Sequence, residues 1–506
     1  MRRASLFFFV GLVVLLLVGC SQSTVSPQSA NSNSASQVTI SITDQPPSGV
    51  TVLFFQINLT AAYLTPAPPA TGQVSLLSNN TPIQIDVTDL QAISAFLSTA
   101  SVTAGTYNSL TLTFANPQLV IFNASNASIA STCPIGNVCQ TTPQIDNNSG
   151  TVVLSSTPFP LAVSSGTPVG LLLDFHLNNV IQSDLSVNLG VTNGVTVKTL
   201  PSAPPFGFPP FGFIKGTVEN VPAGQQNQFT LQTRYGRTFT IDVNSSTTYA
   251  DFPTSICPAS AFSCLAAQQI VKVQVAGVEG PGTLLAGEVD YIGQASQQVV
   301  EGDIIGLSPA AGGSTTMTLL LHWSPNATAL PFGGIATVTV PSSPAPTFSV
   351  DSGSFTTIPS GLSFASATDL LVGQDVQVGV ATGSLTTSDP PKWSPPAVSF
   401  TASSIELEPS QITGTISAIG SNGTSFTIST FPNFFLAWST QNWTPEQITV
   451  DTTAQTTYMG LNPDSFGGLS VNNWVSVRGW LFSTPSGATP STQVAETVVG
   501  RGQGFF

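Results

Sequence analysis

A chain of 506 residues is longer than one hydrophobic core supports and should divide into roughly three to five domains. Only 7% of its residues are charged, 10 basic against 24 acidic, for a net charge of −14. Nucleic acid binding needs phosphate-neutralising cations, and anionic lipid needs a basic patch; this composition supplies neither. Ser, Thr, Asn and Gln carry the polarity instead, which separates the chain from disordered polyelectrolytes.

The chain opens with Arg2-Arg3, an unbroken apolar stretch from Leu6 to Val18, and then Gly19-Cys20. A positive start, a short apolar core and a small residue at the cut are the parts of a secretory signal peptide, here residues 1–19. With Cys20 at the cut, Leu17-Val18-Gly19-Cys20 resembles the lipobox of bacterial lipoproteins. The resemblance implies cleavage before Cys20 and a diacylglycerol thioether on its sulfur. The acyl chains make the membrane a partner, at about 0.8 kcal/mol per buried CH2. Loss of Arg2 and Arg3 would leave 8 basic against 24 acidic residues, a charge of 8 − 24 = −16. The expected location is the bacterial cell envelope, and Ser21 rather than aspartate after the cysteine favours the outer membrane. Residues 20–37 read as a lipidated Ser/Gln/Asn-rich tether, a coil spanning about 20–25 Å.

From Val38 the pattern is of β type. Val38 to Ile42, Val50 to Leu59, Thr81 to Val87, Tyr107 to Phe114 and Gly150 to Leu154 place β-branched residues between turn residues. One helix is expected from Thr88 or Asp89, with Leu90, Ile93, Phe96 and Leu97 on one face. Ala104-Gly105-Thr106-Tyr107 resembles a step of transthyretin-like and carboxypeptidase-regulatory-like β-sandwiches. With Ile40 to Asp44, Val87 to Leu90 and Leu172 to Phe175, the segment 38–200 resembles an N-terminal lipoprotein domain of unknown function. That resemblance implies a β-sandwich and no particular activity.

Residues 201–213 (PSAPPFGFPPFGF) form a Pro/Phe/Gly linker whose phenylalanines should fold back on a neighbouring domain. Beyond it lies an internal repeat. Gly216-Thr217-Val218, Phe229 to Leu231, Phe239 to Val243, Thr247-Thr248-Tyr249 and Val271 to Gly277 recur in order. Their counterparts are Gly414 to Ile416, Phe426 to Ile428, Ile448 to Asp451, Thr456-Thr457-Tyr458 and Trp474 to Gly479. A divergent middle copy uses Gly302 to Ile304, Met317 to Leu319, Phe348 to Asp351 and Val376 to Gly379. About five short strands per copy predict small OB-like barrels at 214–295, 296–409 and 410–506. This layout resembles a repeated bacterial domain of unknown function. The fold class is therefore all-β, an N-terminal sandwich followed by about three barrels.

Apart from Cys20, the cysteines pair by proximity as Cys133 with Cys139 and Cys257 with Cys264, disulfides in an exported chain. No nucleophile elbow, zinc-protease motif, phosphate loop or CxxC is present. His176 and His322 are the sole histidines. Asp174 with His176 supplies fewer ligands than a metal site needs and reads as a paired surface group. Asp86 and Asp89, joined by Asp44 or Asp146, could start a calcium site, although Asp89 reads better as a helix-start carboxylate. Asp242 and Asp451 occupy matching repeat positions. No metal and no cofactor are expected. Trp438, Trp443, Trp474 and Trp480 crowd the third module beside several amides and offer either core or a sugar-binding platform. The expected function is a non-enzymatic envelope lipoprotein serving as a structural or binding module, with a glycan or an envelope protein as partner and no nucleic acid. The alternatives are a carbohydrate-binding or adhesion protein using the third module, and an envelope enzyme of unrecognised type.

Overall fold

The computed structural model describes residues 35–501 apart from 46–51, 78–81, 91, 93, 124–137, 147–149, 183, 201–211, 225–226, 255–256, 258–260, 281, 310, 327, 352–358, 389–396, 430–446 and 484–490. The architecture is all-β, a sandwich followed by three five-stranded barrels. Among the described residues no helix is long and apolar enough to cross a membrane.

In the sandwich one sheet has four strands, in the order Val195–Leu200, Val169–His176, Ala35–Gln45, Ala95–Thr103. The Ala35–Gln45 strand runs parallel to Val169–His176 and antiparallel to Ala95–Thr103. The second sheet is organised by two long partners, Val52–Pro66 and Gly105–Phe122, which carry the shorter strands along their edges. Between the sheets, Phe55, Ile57 and Leu59 meet Leu171, Leu173 and Phe175, and the Phe114 and Phe175 rings contact edge-on at 5.2 Å. Among the described residues the expected helix after Asp89 does not form. Residues 87–90 form a turn, and Phe96 and Leu97 belong to the Ala95–Thr103 strand. The apolar spacing that suggested a helical face serves two faces of a strand. Leu97 enters the sandwich core, while Phe96 points outward against Phe239 of the first barrel, with ring centroids 6.0 Å apart.

The barrels share one strand order, first–second–third–fifth–fourth, closing from fourth back to first. Barrel 1 uses Phe213–Asn220, Gln228–Thr233, Thr238–Asp242, Thr283–Gln294 and Gln269–Gly280 in that ring. Barrel 2 uses Val299–Pro309, Thr315–Trp323, Ile335–Val340, Ala397–Glu408 and Asp375–Val380. Barrel 3 uses Ser410–Ile419, Ser425–Ser429, Gln447–Met459, Ser491–Gly500 and Trp474–Phe482. In all three the third and fifth strands pair in parallel, and the other ring pairs are antiparallel.

Register ties the copies together position by position. Gly216, Gly302 and Gly414 each sit in a first strand opposite Val271, Val376 and Val475 of the fourth. Asp242 opposes Leu285 and Tyr249 opposes Val289; Asp451 opposes Val494 and Tyr458 opposes Val498. The four-residue advance along the fifth strand is thus the same in both barrels. Thr247 and Thr456 even repeat one hydrogen bond, their hydroxyls donating to the carbonyls of Ala286 and Ala495 at 2.8 and 2.7 Å. The middle copy departs from expectation. Its third strand is Ile335–Val340, and Phe348 lies opposite Ile405, where the other barrels place Tyr249 and Tyr458. A long insertion had displaced the motif match by one element. Cys257 and Cys264 are disulfide-bonded, with Cα atoms 5.2 Å apart. Cys139 is also disulfide-bonded; Cys133, its expected partner, lies outside the described residues.

Candidate functional site at the domain junction

Alternation sets one face of each barrel strand inward. In the fourth strand of barrel 1, Val271, Val273 and Val275 fill the core, so Lys272 must face out. It does not reach water. It is 3% exposed, and its ammonium pairs with Asp351 and Glu408 of barrel 2, with Asp290 of its own barrel at 3.9 Å. Lys215, outward on the first strand, pairs in the same way with Glu301, which holds the matching position before the glycine in barrel 2. Phe213, last phenylalanine of the linker, receives Lys272 and Arg478 of barrel 3 against its ring, each 4.9 Å from the centroid. Phe206, Phe208 and Phe211 lie outside the described residues.

Apolar contacts and single hydrogen bonds complete the junction. Leu53, Phe54, Val120 and Phe122 of the sandwich pack on Ile305, Leu320 and Phe332 of barrel 2. Gln411, near the start of barrel 3, accepts from the Ala92 amide at 2.7 Å and donates to the Asp89 carbonyl at 2.6 Å and carboxylate at 3.0 Å. Gln374 of barrel 2 donates to the Leu481 carbonyl of barrel 3 at 2.8 Å.

Where the sandwich, barrel 1 and barrel 2 converge, a cavity of about 230 Å³ remains. The sandwich contributes Gln56, Gln84, Asp86 and Asp89, and barrel 2 contributes Glu301, His322, Trp323 and Phe332. Barrel 1 sends in the hairpin tip Thr233-Arg234-Tyr235-Gly236-Arg237, turned at Gly236 with φ +74°. His322 places Nε2 2.8 Å from Asp303 and Nδ1 3.4 Å from Asp86. Burial alone would lower its pKa, but the two carboxylates together outweigh burial and hold it well above the ordinary imidazole value. Glu301 is held low, because Lys215 outweighs the effect of burial. Asp89 is pushed up to about 7 by burial and by Asp86 beside it. Arg234 lies over the Phe332 ring, 3.5 Å from its centroid, and 5.3 Å from that of Tyr235. Its Nε and Nη1 are buried and make no hydrogen bond. Arg237 stacks on Phe239 at 4.7 Å and donates from Nη2 to the Leu97 carbonyl at 2.6 Å. Among the described residues neither arginine has an ion-pair partner, and burial lowers both to about 10.

The residues singled out in the sequence fall mostly elsewhere. Trp480 is buried at 4% exposure among barrel 2 side chains, its indole donating to the Asp351 carbonyl, so it forms no platform. Trp474 is half-buried at the start of the fourth strand of barrel 3; Trp438 and Trp443 lie outside the described residues. Asp174 and His176 do share a strand face but are buried rather than exposed, with Lys198 3.6 Å from Asp174. Burial lowers the pKa of His176. Asp86 and Asp89 both line the cavity, Asp86 at His322 and Asp89 at Gln411, while Asp146, away from them, accepts from Ser186 at 3.2 Å. Of the Asp44 side chain nothing is described. Among the described residues no group of three His, Cys, Asp or Glu could hold a metal ion. Asp242 accepts from Gln228 at 2.8 Å, a contact within the barrel.

Sequence reasoning missed Lys215, Arg234, Tyr235, Arg237, Glu301 and Trp323. A signal existed. In a chain so poor in cations, Lys or Arg inside a strand or hairpin marks a place where charge has a specific partner or task.

Residues 35–198 match a domain of unknown function, DUF4382, and residues 413–482 match a second, DUF5666. The first match covers nearly the whole sandwich, and the second runs from the first to the fourth strand of barrel 3. No curated protein matches the chain.

Proposed function

We propose that the chain is a non-catalytic lipoprotein of the bacterial cell envelope, held by acyl chains on Cys20, that binds a small ligand between its domains. The cavity carries the binding reading. Three domains contribute its walls, and two of its cations have no anionic partner among the described residues. His322 commits both ring nitrogens to carboxylates, which favours an organising histidine over a general base. The run from Leu6 to Cys20 supports the anchor, and Ser21 favours the outer membrane. An envelope protein or a glycan remains the partner class in this reading.

Mass spectrometry of the mature chain tests the anchor. The expected N-terminal residue is a diacylglyceryl-modified Cys20, and Cys20→Ala should leave an unacylated, uncleaved precursor. A mature wild-type chain that starts elsewhere without lipid would remove the anchor from the proposal.

A further inference from the structure

The geometry points to a specific ligand class for the junction cavity: a sugar bearing a carboxylate, such as a uronic acid unit, with the carboxylate at Arg234 and Arg237. This inference rests on the binding reading above and adds the chemistry of the ligand.

Ion pairs do not reach every cation that lines the cavity. Lys215 is matched by Glu301, and His322 is matched by Asp303 and Asp86. Two guanidinium groups from one hairpin tip, Arg234 and Arg237, have no ion-pair partner among the described residues. A desolvated cation with open donors is costly, and an entering anion recovers that cost. The planar guanidinium fork fits a carboxylate through two parallel N–H···O bonds. The depressed pKa values of both arginines are the signature of burial without a counter-charge.

The body of the ligand follows from the remaining walls. Tyr235 is 37% exposed at the tip, the largest apolar side chain offered to solvent there, and Trp323 of barrel 2 also lines the cavity. Flat aromatic faces cover the C–H face of a sugar ring, while Gln56 and Gln84 can exchange hydrogen bonds with hydroxyls. The cavity, about 230 Å³, is of the size of one sugar ring rather than of a longer oligomer.

Titration calorimetry on the folded chain from residue 21 onward tests this, with D-glucuronate, D-glucose and inorganic phosphate as probes. The expected result is measurable glucuronate binding, at least tenfold tighter than either other probe. Arg234→Gln and Arg237→Gln should each weaken it at least tenfold. Arg234→Lys, which keeps the charge and loses the fork, should still weaken it severalfold, and circular dichroism should find all three variants folded. Binding of glucose or phosphate as tight as glucuronate overturns the inference, as does glucuronate affinity unchanged in Arg234→Gln. If no probe binds, yet other small molecules from an envelope extract bind and compete with one another, the ligand class fails while the binding reading stands. If nothing binds at all, both fail.

Discussion

At the scale of single residues, the unusual economy of charge is the organising fact. Lys272 is 3% exposed and holds two carboxylates of the neighbouring barrel. Burial would strip its proton, but Asp351, Glu408 and Asp290 together keep its pKa well above the ordinary lysine value. Removing one partner of such a cluster leaves carboxylates buried without a counter-ion, at a cost of about 3–5 kcal/mol. Lys272→Met should therefore lower the urea midpoint markedly, whereas Thr386→Ala, which removes an exposed hydroxyl contact with Ser399, should change stability by under about 0.5 kcal/mol. Equal effects of the two substitutions would contradict the role assigned to Lys272. Titration extends the argument. Burial raises Asp89 to about 7, Asp290 to about 8 and Glu406 to about 7. A carboxyl raised on folding stabilises fully below its unfolded value near 4 and loses that contribution as pH climbs through its folded value. His322, also raised, acts in the same direction at higher pH. Glu301 and Asp351, which are lowered, favour folding only above their folded values. The unfolding temperature should accordingly peak near about pH 5 and fall by several degrees toward about pH 8.5, a trend that calorimetry at constant ionic strength would measure.

At the scale of strands, the period-2 pattern explains both what the sequence disclosed and what it concealed. Barrel strands such as Phe229 to Leu231 and Phe426 to Ile428 alternate cleanly, so their inward faces could be read directly. Docking strands break the alternation. Phe54 and Phe55 are consecutive, one against barrel 2 and the other in the sandwich core. Leu319 and Leu321 face the core of barrel 2, while Leu320 between them faces the sandwich. Phe96 and Leu97 do the same, and there the continuous apolar run imitated a helix. A strand with both faces apolar is buried on both sides, and that reading would have located the junction. The middle barrel's third strand was hidden for a different reason, because Phe348 to Asp351 resembles the motif and lies one element too late. The arginine hairpin carried no motif at all. Gly302 offers a test at this scale, since a Cβ there would collide with the Leu320 carbonyl, as one at Gly216 would with that of Gln232. Gly302→Ala should destabilise by about 2 kcal/mol or more, while Gly383→Ala, with open space around it but φ +73°, should cost only about 1 kcal/mol.

For the whole molecule, the charged and aromatic contacts make the four domains interdependent. Inter-domain surfaces within one chain usually resemble transient interfaces and permit relative motion. Here the sandwich touches barrel 1 through Phe96 and Arg237, barrel 2 through Phe54 and Asp86, and barrel 3 through Asp89 and Gln411. Unfolding should therefore begin as one cooperative transition. Phe96→Ala, which cuts an aromatic anchor while sparing the sandwich core, should separate a sandwich transition from a barrel transition in calorimetry. A single unchanged peak in that variant would argue against coupling through this contact. Reduction of Cys257–Cys264, which closes a loop of 7 residues, should act locally on barrel 1 at about 2–3 kcal/mol.

The position of the strand Ala35–Gln45 has a mechanical consequence. It lies between two neighbours rather than at an edge, and eight of its residues, Val38 through Gln45, run parallel to Val169–His176. The antiparallel strand Ala95–Thr103 holds its other side. A tug on the chain from its N-terminal side pulls along the strand axis, across the direction of the hydrogen bonds. Both rows must then slide together, because no end is free to peel one bond at a time. Pulled from residue 35 in an optical trap, the sandwich should give way in one force peak rather than by stepwise unzipping.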